Sequence, residues 1–208
     1  DGTSAAPVAF LTALAAHIAG CLVLVLFAAC REGWPFSVFE SILPAASLAW
    51  AYLCARVATA PWPGHDRNLA VAGVAVSALY LFLGMLITGK DRHRQRAGWA
   101  LATAGVMGVG TLLFPALENT LATVGALSTI ALGLCFLGIR RKDLGTLGLA
   151  IALQTYVCGM SAYLGVLTPG QAHPALQVIV LLGLAGIGAV HHIAVVRDAP
   201  DDAIARAT

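Results

Sequence analysis

Long apolar stretches alternate with short polar breaks from one end of the chain to the other. A helix needs about 20 apolar residues to cross the hydrocarbon core of a bilayer. On that ruler the pattern predicts seven spans, over 8–29, 36–57, 69–88, 98–117, 121–139, 144–167 and 174–196. The breaks carry the punctuation expected of turns, such as Arg31-Glu32-Gly33-Trp34-Pro35 and Thr168-Pro169-Gly170-Gln171. The stretches are too long and too continuously apolar for outer-membrane barrel strands, which alternate over about ten residues. The expected fold class is therefore all-α integral membrane, a bundle of seven transmembrane helices. Residues 1–197 form a single membrane domain and 198–208 a short tail.

The tightest break lies between the fourth and fifth spans, where only Glu118 and Asn119 follow Pro115 and Leu117. Two separate helices are expected there, with a bent or re-entrant helix as the alternative, since protein-buried breaks are tolerated at membrane depth. Trp34, Trp62 and Trp99 fall at the expected interfaces, where aromatic rings anchor. The chain begins at Asp1 rather than Met, so its start is read as missing or removed. The first stretch exceeds a signal-peptide core and lacks a basic flank, and is read as a mature span.

Composition agrees with the pattern. Hydrophobic residues make up 59% of the 208 and charged residues 11%, against roughly 25% charged in soluble domains. Basic residues are retained on the cytosolic side of a membrane, so their placement predicts orientation. With the N-terminus outside, the cytosolic side collects Arg31, Lys90, Arg92, Arg94, Arg96, Arg140, Arg141, Lys142, Arg197 and Arg206, and only Arg56 and Arg67 lie outside. The C-terminus is then cytosolic and the setting a plasma-type inner membrane. The net charge of +2 follows this topology and forms no nucleic-acid patch. Cys21, Cys30, Cys54, Cys135 and Cys158 are scattered singly, without metal or disulfide spacing.

Seven spans divide as three, one and three. Ala51-Tyr52-Leu53 pairs with Ala162-Tyr163-Leu164, Arg31 with Arg141, His65 with His173 and Lys90 with Arg197, at separations near 110 residues. Parallel repeats of this kind occur in transporters, with substrate held where the repeats meet. Topology alone reproduces the basic-residue matches. The arrangement resembles that of the SWEET sugar transporters, which share seven spans in this order. The resemblance is topological, because neither the first nor the fifth span carries an interior proline for their Pro-Gln signature. No residue or substrate is carried over from that family.

An ionisable group at mid-membrane is costly and therefore a candidate for function. His17 is the leading case, roughly 14 Å below the outer surface at 1.5 Å per residue. It can bind a proton, a metal or haem, or donate to a neighbouring helix carbonyl. His191 and His192 lie about 12 Å deeper, too far to share one haem iron with His17. Haem within one protomer is not supported, and no cofactor is expected. The sixth span is the most polar, and Gln154, Cys158 and Ser161 recur at four and three residues on one stripe. That stripe can line a substrate path or serve as interhelical glue.

Catalytic constellations are missing from the sequence. Gly159-Met160-Ser161-Ala162 resembles the G-x-S-G of rhomboid proteases, but the last glycine is absent and no later His supplies a base at matching depth. The only lysines, Lys90 and Lys142, lie in loops, which excludes a retinal Schiff base. The leading expectation is a small-solute permease or channel with His17, Gln154, Cys158 and Ser161 on its pathway. A non-catalytic accessory subunit of a membrane complex is the alternative, and the membrane domain of a sensor the third. The expected partners are membrane lipids, with a second copy or other membrane subunits beside them, and no nucleic acid.

Overall fold

The computed structural model describes residues 5–30, 38–60, 65–88, 92–167, 185–186 and 188–189. Among them run six helices: α1 (Ala5–Cys30), α2 (Val38–Thr59), α3 (His65–Ile87), α4 (Arg92–Leu117), α5 (Thr120–Arg141) and α6 (Leu144–Leu167). Each is long and apolar enough to cross a membrane, and the described residues contain no strand. The chain thus has the character of a multi-pass helical membrane protein. The stretch expected as a seventh span, 174–196, lies outside the described residues apart from the two short fragments.

The helices overrun the apolar ruler where polar flanks continue them. α4 starts at Arg92 rather than at the expected position 98, taking in Arg94, Gln95 and Arg96. Arg and Gln are good helix formers, so the backbone does not stop where the hydrophobicity does. α3 starts at His65, and Asp66 in its first turn complements the positive end of the helix dipole.

The tight break resolves into two helices. Glu118 adopts φ 52, its N–H donates to the Phe114 carbonyl at 2.9 Å, and α4 ends. Asn119 then caps α5, its side-chain oxygen accepting from the Ala122 N–H at 3.1 Å. The same point divides the chain into two compact units, 1–118 and 119–208.

In the first unit α3 and α4 form an antiparallel pair whose seam is made of small residues. A Cβ on Gly84 would come within 2.5 Å of the Ala102 nitrogen and 2.6 Å of the Gly98 carbonyl, and one on Gly105 within 2.6 Å of the Ser77 carbonyl. Only glycine permits that approach, as is common between membrane helices. α1 and α2 pack on this pair. Around Tyr80, Ala97, Ala100, Leu101 and Ala104, α1 contributes Val25, Leu22 and Ile18 to one apolar core. That core lies toward the C-terminal ends of α1 and α3 and the start of α4. Pro44, buried inside α2, removes one backbone donor from that helix.

In the second unit α5 and α6 form a hairpin. Lys142 turns the chain in the left-handed region with φ 53, and the Asp143 N–H donates to the Gly138 carbonyl at 2.9 Å. Asp143 caps α6, its carboxylate accepting from the Gly145 N–H at 3.1 Å and the Thr146 hydroxyl at 2.5 Å. Gly138 packs directly against Leu147.

Candidate functional site

The core of the first unit fills only part of its length. Toward the end formed by the start of α1, the end of α2, the start of α3 and the end of α4 lies a cavity of about 590 Å³. That volume falls within the roughly 300–1,000 Å³ range of small-molecule sites. All four helices contribute walls: Leu11, Leu14 and Ile18 from α1, Leu48, Tyr52 and Arg56 from α2, Leu69, Gly73 and Val76 from α3, and Met107, Leu112 and Pro115 from α4.

The local sequence explains the space. Where the cavity lies, alanines and glycines stand on the facing surfaces, among them Ala45, Ala49, Ala72, Gly73, Ala104 and Gly108. Small side chains that let α3 and α4 touch backbone to backbone leave volume unfilled where α2 faces them instead. α2 packs chiefly on α4 and α1, and only lightly on α3.

The wall is apolar in effect as well as in composition. Ser77 lines it, but its hydroxyl donates to the Gly73 carbonyl at 2.7 Å. Thr111 lines it too and donates to the Met107 carbonyl at 2.9 Å, with Gly108 at 3.2 Å. Each hydroxyl is turned into its own helix. Beyond the Tyr52 phenol, the remaining polar group is the guanidinium of Arg56, the one charged side chain on the wall among the described residues. Arg56 Nε stands 4.0 Å from the Asp66 carboxylate, with the two side chains 60% and 70% exposed. An exposed pair of this kind holds weakly, by about 0–1 kcal/mol. Close to the same rim Arg67 Nε donates to the Ala116 carbonyl at 3.4 Å, meeting an acceptor that the end of α4 leaves without a helical donor.

The residues singled out from the sequence lie elsewhere. His17 is on α1 in the first unit, exposed, its Nε2 4.0 Å from the Cys21 sulfur one turn on. Its neighbours Ala15 and Ile18 line the cavity, but His17 is not part of the wall. Gln154, Cys158 and Ser161 are on α6 in the second unit. Gln154 is buried at 7% exposure, Cys158 is exposed and Ser161 is intermediate. Gln154 Nε2 lies 4.0 Å from the Cys158 sulfur, and the Ser161 hydroxyl donates to the Val157 carbonyl at 2.8 Å. The Gln154 side-chain oxygen and the Ser128 hydroxyl on α5 are buried without a hydrogen-bond partner among the described residues. Among the described residues, no three His, Cys, Asp or Glu side chains come together as a metal site.

Arg56, Tyr52 and the small-residue patch facing them carry no site motif in the sequence. One signal was present: Arg56 and Arg67 are the two basic residues that the expected orientation sets apart from the other ten. Comparison with protein-family models, curated proteins and solved structures finds no match.

Proposed function

We propose that this membrane protein binds a lipid-like molecule from within the bilayer, holding its apolar portion among α1, α2, α3 and α4. The observation that carries the reading is the wall of the cavity, whose hydroxyls at Ser77 and Thr111 are committed to their own helices. A hydrophilic solute entering there would shed its hydration and find few donors in exchange, at a cost of several kcal/mol. An acyl or isoprenoid chain loses nothing of the kind. The small-solute permease expected from the sequence is thereby redirected toward an amphiphilic substrate. We place the N-terminus outside and the start of α4 in the cytosol of a plasma-type inner membrane, on the distribution of basic residues. The cavity then opens toward the outer leaflet.

The test is photocrosslinking of the full chain in lipid vesicles with a fatty acid carrying a diazirine on its tail, followed by peptide mapping. Label is expected on α1–α4 peptides that line the cavity. Ala72→Phe, which places a ring in the space, is expected to lower that labelling at least threefold while leaving labelling of α5 and α6 unchanged. Uniform labelling of all lipid-facing surfaces, insensitive to Ala72→Phe, would overturn the reading.

A further inference from the structure

The cavity has a polar end, and its chemistry selects among lipids. Resting on the apolar-ligand reading above, we propose that the bound molecule is a lipid with an anionic headgroup, and that Arg56 is the side chain that meets it. Four described charged side chains stand at this end of the first unit: Arg56, Asp66, Arg67 and Glu118. Of these only Arg56 also lines the cavity. A chain lying in the apolar space with its head toward the membrane surface therefore meets a guanidinium first.

The position is right for a headgroup. Arg56 lies three residues before the end of α2, so its Cα is roughly 5 Å below the helix end at 1.5 Å per residue. A long side chain at that depth reaches the interface with its charge while its stem stays against apolar wall.

Arg56 is also available. Its partner among the described residues is Asp66, 4.0 Å from Nε, with both side chains largely exposed. A guanidinium carries five N–H donors in a planar fork that matches phosphate geometry. Among the described residues the pair with Asp66 leaves most of that fork unused, and it is weak enough to yield to a phosphate. Asp66 competes with the phosphate for that fork and its carboxylate suits a headgroup bearing an outer cation, so the preference for an anionic head comes from Arg56 and is held back by Asp66.

Arg67 completes the rim. Its Nε donation to the Ala116 carbonyl holds a second guanidinium beside Pro115, which itself lines the cavity. Topology accounts for the ten basic residues gathered on the other side. It does not account for two arginines at the rim of an apolar cavity.

The experiment uses the full chain in vesicles containing either of two photoreactive phospholipids with identical diazirine-bearing tails, one phosphatidylglycerol and one phosphatidylcholine. Labelling of cavity peptides is expected to favour phosphatidylglycerol by about threefold to tenfold, the effect of one charge-assisted contact at an exposed site. Arg56→Gln should remove most of that preference and bring the two lipids close to parity. Asp66→Asn should widen the preference by freeing the guanidinium. Equal labelling by both lipids in the unaltered chain would overturn the anionic-headgroup assignment while leaving the cavity reading intact. Absence of cavity labelling by either lipid would overturn both. A phosphatidylglycerol preference that survives Arg56→Gln would overturn the role given to Arg56.

Discussion

The Tyr80 hydroxyl donates to the Ile18 carbonyl at 3.2 Å, joining α3 to α1 across 62 positions of sequence. Tyr80 is fully buried in the apolar core, and its phenol finds the second lone pair of a helical carbonyl rather than water. Removing the hydroxyl alone, in Tyr80→Phe, should cost about 0.5–1.5 kcal/mol, in the range of interhelical bonds in membranes. Tyr80→Ala, which also leaves a void, should cost about 3–5 kcal/mol. Reversible unfolding in mixed detergent micelles measures both. Equal losses for the two variants would show that the hydroxyl, and not the ring, holds the core.

The α3–α4 seam predicts a contrast among glycines. Gly84→Val should destabilise by at least about 1–3 kcal/mol, because the new side chain meets backbone atoms of α4 that cannot swing aside. Gly133→Ala on α5 and Gly148→Ala on α6 have open space around the new methyl and should change stability by less than about 1 kcal/mol, in the stabilising direction. The same unfolding assay ranks them. A tolerated Gly84→Val would mean that α3 and α4 are not packed through their backbones.

Buried polar atoms without partners give the opposite sign. Ser128 is fully buried and its hydroxyl has no partner among the described residues, whereas Ser77, Thr123, Thr129 and Ser161 each donate to the carbonyl four residues back. Ser128→Ala is expected to stabilise by about 1 kcal/mol. Loss of stability in that variant would reveal a partner for the hydroxyl in the membrane.

Helix starts offer a fourth measurement. Asp143→Ala removes the acceptors for both the Gly145 N–H and the Thr146 hydroxyl and should cost about 0.5–2 kcal/mol. Asp143→Asn keeps a capping oxygen and should recover most of that loss. Hydrogen exchange at the first turn of α6 localises the effect, and exchange that is unchanged in Asp143→Ala would argue against the cap.

The existence and type of the six helices was legible in the sequence because crossing a bilayer demands a length of apolar chain that no short-range accident mimics. Ends were less legible: α4 continues through Arg94 and Arg96 because hydrophobicity marks the hydrocarbon and not the helix. The depth of His17 could be counted, but which side of α1 it occupies could not, since that helix is apolar nearly all round. The stripe of Gln154, Cys158 and Ser161 was legible as a shared face. Its environment was not, because it runs along the edge of the surface centred on Ala150, Leu153 and Val157, so neighbouring members end up buried, exposed and half-buried. The cavity was hidden for a related reason. It is the product of four faces meeting, and periodicity describes one face at a time.

The small-residue seam between α3 and α4 has a thermodynamic consequence as well as a geometric one. Glycine and alanine surrender no rotamers when they are brought together, so the helices associate with little loss of side-chain freedom. The contact is stiff, since neither Gly84 nor Gly105 has a side chain to rearrange against the backbone it touches. The freedom of this half of the molecule is left to the long side chains around the cavity, such as Leu48, Met107 and Leu112. The same helix pair thus joins a backbone-to-backbone contact with no side chain to rearrange to an unfilled space bordered by side chains that have many rotamers.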